Sequence, residues 1–142
     1  EFAFVSCFTP CTDVAVSGAR WFKGKGLYKL ATAIELFAWS AGFCEAGDCP
    51  YLIENPISTI STYWRKPDHT FDPCDYGDPY TKKTCLWTGG GFVMPPKNRV
   101  EPVEGSKMYL LPPSEDRQDK RSETPMGFAN AVFESNRKLV NV

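Results

Sequence analysis

FAFVSCF (2–8) and PYLIENP (50–56) are two short apolar runs, and what lies between them decides the fold. The first does not alternate cleanly between apolar and polar residues, which suits a strand covered on both faces, as in a parallel sheet. Thr9-Pro10 ends it, and Glu54-Asn55 followed by Pro56 ends the second. Between them, apolar residues recur at 27, 30, 34, 37 and 41, with 31 and 38 beside them, which predicts a helix over 27–43 with one broad apolar face. Gly42 and Gly47 bracket its end. The stretch TDVAVSGARWFKGKG (12–26) is punctuated by glycine and reads as a loop with one helical turn. Strand, loop, helix and strand in that order form a right-handed βαβ unit. The expected class is α/β, with a three-layer, mostly parallel sheet of Rossmann-like type.

After Pro56 the chain turns aromatic and irregular, with strands expected in HTFDPCDYG (69–77) and KKTCLWTG (82–89). Gly89 to Ser122 holds five prolines, the mark of a long loop. TPMGFANAVFESNRKLV (124–140) reads as a closing amphipathic helix with Thr124 as its N-cap. There is no internal repeat. At 142 residues, 42% of them hydrophobic, the chain suits one domain, 1–142, with a single core.

A formal net charge of −1 supplies no global positive field, so nucleic-acid binding would need a local patch. No run approaches the roughly 18 apolar residues of a membrane span, and the first residues lack the charged start of a signal peptide. A soluble, cytoplasmic protein is expected. Six cysteines are an even number, but C-x3-C and C-x4-C spacings and a lone His69 do not make a common zinc module, and a full-sized core argues against a disulfide scaffold. Most of these thiols are expected to be small buried hydrophobes. The four tryptophans, Trp39 above all, are expected in the core.

In an open parallel sheet, ligands bind beyond the carboxyl ends of the strands. Those ends carry Pro10-Cys11 and Glu54-Asn55-Pro56. A thiol and a carboxyl converging there can serve as nucleophile and acid on one planar substrate. RWFKGKG and YWRKP mix cations with aromatic rings, which suits phosphates and unstacked bases as well as it suits solvated lysines beside core aromatics. PPSEDRQDKRSE (112–123) is of mixed charge and reads as a solvated loop.

TPCTDVAVSGARWF (9–22), LIENPISTISTYWRKPDHTFDPCDYGDPYTKKTCLW (52–87) and RSETPMGFANAVFES (121–135) are similar, in the same order, to methyltransferase-like proteins of phage and bacteria. Pro10-Cys11 and Glu54-Asn55 resemble the Pro-Cys and Glu-Asn-Val motifs of DNA cytosine-5 methyltransferases. The resemblance implies that Cys11 adds to carbon 6 of cytosine and that Glu54 holds a proton at the neighbouring ring nitrogen. It further implies that Asn55 orients the turn, that Pro10 and Thr12 shape the loop, and that Arg20, Arg65 or Arg121 contacts the base. The target base would leave the helix stack. The chain departs from the family in Thr12, where Gln is usual, and in Pro56, where Val is usual.

S-adenosylmethionine is the family's methyl donor, yet no F-x-G-x-G or other glycine-rich strand-to-helix turn is present to hold it. On this resemblance the chain corresponds to the second half of a class I methyltransferase, inactive or incomplete alone. Residues 2–8 would then be an exposed sheet edge that pairs with its own copy or with a second chain carrying the cofactor half. Two other readings remain open: a non-catalytic DNA-binding or self-assembling module of phage or mobile-element origin, and a cysteine enzyme of other chemistry.

Overall fold

The computed structural model describes residues 2–137. Four strands, β1 (Val5–Phe8), β2 (Tyr51–Pro56), β3 (His69–Phe71) and β4 (Thr84–Gly89), form one open sheet in the order β1-β2-β4-β3. The helices are α1 (Phe22–Lys25), α2 (Leu27–Glu45), α3 (Ile60–Tyr63), α4 (Lys107–Leu110), α5 (Arg117–Ser122) and α6 (Met126–Asn136), with 3-10 turns at Val16–Trp21 and Pro73–Tyr76. The class is mixed α/β.

β1 pairs parallel to β2, and β2 pairs antiparallel to β4. The sheet is therefore mostly antiparallel, where a mostly parallel one was expected. The connections explain the difference. A parallel neighbour needs a crossover, and α2, at 19 residues, supplies one between β1 and β2. Beyond β2 the longest helix before β4 is the four-residue α3, too short to carry the chain back across the sheet.

The described residues fall into two compact units, one of residues up to Thr70 with Thr84–Phe92, the other of Phe71–Lys83 with the chain from Val93 onward. In the first, Val5, Cys7, Tyr51, Ile53, Cys85 and Trp87 lie on one sheet face and pack with Ala33, Phe37, Ala41 and Cys44 of α2. Phe37 meets Trp87 edge-on at 5.1 Å between centroids. The buried stripe of α2 thus advances by four, four and three residues, which is helical spacing. It includes 37 and 41, while Leu27, Ala31 and Ala38 of the expected face are exposed. Trp39 is also on the outside, 70% exposed and stacked on Phe43 at 5.7 Å, which corrects its expected place in the core. Nor is β1 covered on both faces: Val5 and Cys7 are half-buried, Ser6 and Phe8 exposed.

In the second unit, Phe71 stacks on Phe128 of α6 at 3.8 Å, and both rings meet Tyr76. The expected strand 69–77 stops at Phe71 because Pro73 opens a 3-10 turn, capped reciprocally by Asp72 and Asp75. The proline-rich segment is tied to that turn: Asn98 and Val100 donate their amides to the carbonyls of Asp75 and Cys74 at 2.8 Å. Helix α6 starts one residue later than expected, after Pro125 and without a side-chain cap, so Thr124 is not its N-cap. Residues 138–140 of the expected helix lie outside the described residues.

Candidate functional site

Parallel pairing sets Phe8 beside Glu54 in register, so β1 and β2 end together. Beyond those ends the chain is strapped. Asn55 is fully buried, and its amide nitrogen donates to the Thr9 hydroxyl at 2.8 Å and to the Thr9 carbonyl at 3.3 Å. The Cys11 carbonyl accepts the amides of Val14 and Ala15 at 3.1 and 2.8 Å, which curls the loop into a turn. Val16 then donates to the Ile57 carbonyl and Thr59 to the Val14 carbonyl, both at 2.9 Å. The loop after β1 and the loop after β2 are therefore one hydrogen-bonded assembly.

Residues alternate faces along a strand, so Glu54 and Asn55 point to opposite sides of the sheet. Asn55 lies on the α2 side, where it fastens Thr9. Glu54 lies on the other side, half-buried, with Phe8 and Leu86 as its register neighbours. Cys11 is half-buried and packs against the core cluster of the first unit. Pro10 and Thr12 are exposed. The structure thus brings Pro10, Cys11, Thr12, Glu54 and Asn55 to one end of the parallel pair. Asn55 Oδ1 and Ser58 Oγ are buried there as well.

The three arginines belong to three different segments of the chain. Arg20 follows Cys11 closely, exposed in the 3-10 turn with its guanidinium 5.1 Å from the Trp21 ring centre. Arg65 is held elsewhere. Its carbonyl accepts from Trp87 Nε1 at 2.9 Å, its guanidinium forks onto Asp68 at 2.8 and 2.9 Å, and Asp68 in turn accepts the Thr88 amide. Thr88 pairs with Leu52, so this cluster sits toward the amino end of β2, away from Glu54. Burial pushes the Asp68 carboxyl up, but the Thr88 amide and Arg65 outweigh it and hold the group below its usual range. Arg121 belongs to the second unit, in α5, beside the Tyr109 ring.

In the sequence Lys25 stands out only as part of the basic-aromatic stretch RWFKGKG. Its ammonium donates to the Thr12 carbonyl at 2.9 Å and to Asp13 at 2.7 Å, anchoring the loop that carries Cys11. Around it opens a cleft of about 270 Å3, lined among others by Asp13, Phe22, Lys23 and Lys29. Thr9 was missed as well. The signal is a hydroxyl residue directly before Pro-Cys, which becomes specific only once a buried Asn lies alongside.

A nucleotide cofactor is commonly cradled by a glycine turn running from a strand into a helix. Among the described residues no such turn exists: β1 runs into Thr9-Pro10-Cys11, and Gly89-Gly90-Gly91 runs from β4 into irregular chain. None of the six cysteines is in a disulfide. No helix among the described residues is long and apolar enough to cross a membrane. Compared with protein-family models, curated proteins and solved structures, the chain matches none.

Proposed function

We propose that this chain is the substrate-side half of a DNA cytosine-5 methyltransferase-like protein, with Cys11 as nucleophile and Glu54 as acid. The observation that carries the reading is the strapped pair of strand ends, where Asn55 fastens Thr9 and so holds the Cys11 loop, which follows β1, beside the end of β2 that carries Glu54. The parallel β1-α2-β2 crossover supports a Rossmann-like origin for this half of the sheet, and β4, inside the sheet, runs antiparallel to β2.

In the proposed step the Cys11 thiolate forms a bond to carbon 6 of an extruded cytosine. The carbon 5–carbon 6 π electrons shift to the carbon 4–carbon 5 bond, and those of the carbon 4–nitrogen 3 double bond move onto ring nitrogen 3, which takes a proton from the Glu54 carboxyl. Carbon 5 becomes enamine-like and nucleophilic. Phe8 and Leu86 are the register neighbours of Glu54 on the two adjoining strands. Lys23 and Lys29 at the neighbouring cleft suit backbone phosphates, and Arg20 is the arginine nearest in sequence to Cys11. Methyl transfer would further require S-adenosylmethionine as the methyl donor.

Covalent capture tests this reading. An oligonucleotide containing pyrimidin-2-one, a cytosine analogue prone to addition at carbon 6, is expected to form an adduct of mass equal to protein plus DNA. Cys11→Ser is expected to abolish it, and Glu54→Gln to slow it by about 10²-fold or more, the usual weight of a general acid. Adduct formation undiminished in Cys11→Ser would sink the proposal.

A specific observation also favours an assembly role. β1 is an edge strand, and Phe2, Trp39 and Phe43 form an exposed aromatic set beside it, with Phe2 5.9 Å from Phe43. We propose that this edge takes a strand from another chain, either a copy or the partner holding the cofactor.

A further inference from the structure

Three thiols outside the candidate site gather at one place. Cys7 lies in the middle of β1, Cys44 in the last turn of α2, and Cys49 in the connection to β2. Cys7 Sγ is 3.6 Å from Cys44 Sγ. Cys44 is buried, at 2% exposure, whereas Cys7 and Cys49 are half-buried. Two sulfurs in contact, one reachable from solvent and one enclosed, are the arrangement in which a mixed disulfide at the first is displaced by the second.

We propose that Cys7 and Cys44 form a redox modification site, taking a low-molecular-weight disulfide as oxidant and closing to an intramolecular bridge. The Cys7 thiolate attacks one sulfur of the oxidant, and the first small thiolate leaves. Cys44 then gives up its proton, its sulfur displaces the second small thiolate from Cys7, and the Cys7–Cys44 bond forms. Two protein thiols are oxidised, one small disulfide is reduced to two thiols, and no other reactant is needed. The sulfurs must approach by about 1.5 Å to reach bonding distance. Burial raises the Cys44 pKa, so the closing step is slow and answers sustained oxidation. The bridge would pin the edge strand β1 to α2, four residues before Cys11.

Oxidised glutathione is the probe. Cys11 lies near Cys7 in the chain and Cys49 near Cys44, so the decisive protein is the Cys11→Ala/Cys49→Ala double variant. The expected result, after blocking remaining thiols with N-ethylmaleimide and digesting with trypsin, is a joined pair of peptides that carry Cys7 and Cys44. It should separate on reduction, and the oxidised protein should unfold several degrees higher, because the bridge spans 37 residues. Cys44→Ala should instead hold glutathione on Cys7 with no bridge. Full blocking of both cysteines in oxidised protein, or a bridge formed only between molecules or only through Cys49, overturns the proposal. If the double variant lacks the near-ultraviolet circular dichroism of the folded chain, fragmentation of the joined peptides from the unmutated protein decides between the same outcomes.

Discussion

Asn55 is the residue on which the candidate site turns. It was legible in the sequence as a residue that orients the turn after the second strand, but its partner was not. A buried amide gains only about 1 kcal/mol from a hydrogen bond, whereas removing it strands the groups it served. Asn55→Ala is therefore expected to cost about 2 kcal/mol in urea unfolding and to slow covalent capture of DNA together with it, since Thr9 no longer holds the Cys11 loop. A second residue sets the alkaline limit. Burial and Cys7 raise the Cys44 pKa from 9.0 to about 12. The folded state thus keeps a proton that the unfolded chain releases, so this stability is present below pH 9 and is lost as pH rises toward 12. The slope is at most about 1.4 kcal/mol per pH unit. Unfolding measured at pH 8 and pH 10.5 should show an added loss in the unmutated protein relative to Cys44→Ala. At the acid end Asp75 has the opposite sign. Burial raises its pKa, but the Asp72 amide, Lys97 and Arg99 outweigh that and leave it lowered. Its contribution is present above 3.8 and disappears as pH falls through the lower folded value, a loss that Asp75→Asn should not show.

At the scale of elements, the turn after β4 is the most constrained piece of backbone. Gly90 has φ +61°, and a Cβ placed on it would meet the Cys49 carbonyl oxygen at 2.0 Å. That obstacle is backbone, so nothing flexible can yield. Gly90→Ala is expected to cost about 2–4 kcal/mol, combining a left-handed conformation with a clash, and to lower the thermal midpoint accordingly. In the sequence the three glycines at 89–91 could be ruled out as a strand-to-helix cradle, but their closeness to the connection after α2 was not visible. Helix α2 shows the same division. Its existence was plain from apolar spacing, but its face was not, because Leu27, Ala31, Ala38, Trp39 and Phe43 make it apolar nearly all round. Periodicity fixes a buried stripe only when the opposite stripe is polar. The sheet follows the same logic. The β1-α2-β2 crossover was legible from a helix of sufficient length, and the direction of β4 was not, because it depends on the absence of a second such helix between 57 and 83.

For the whole molecule, the features that contradict a self-sufficient surface lie together on the first unit. Among the described residues β1 has no neighbour on its outer side, and beside it the helix that covers its inner face turns Trp39 and Phe43 outward. Natural edges are normally blunted by charge, proline or a bulge, and Val5-Ser6-Cys7-Phe8 has none of these. Val5 gives its amide to the Pro50 carbonyl at 3.0 Å, so by strand alternation the amide of Ser6 points away from β2. Ser6→Pro therefore removes an outward donor while leaving the β1–β2 ladder intact. The unmutated chain is expected to show a particle mass above 15.9 kDa as concentration rises, measured by light scattering on a size-exclusion column. Ser6→Pro should return it to the monomer mass without lowering the thermal midpoint by more than a few degrees, and Trp39→Lys should weaken association while leaving the fold intact. A particle that stays monomeric at millimolar concentration would mean that the edge does not pair with its own copy. A strand pairing supplied by a separate chain would then be the surviving form of the assembly proposal, detectable as a 1:1 complex that Ser6→Pro abolishes.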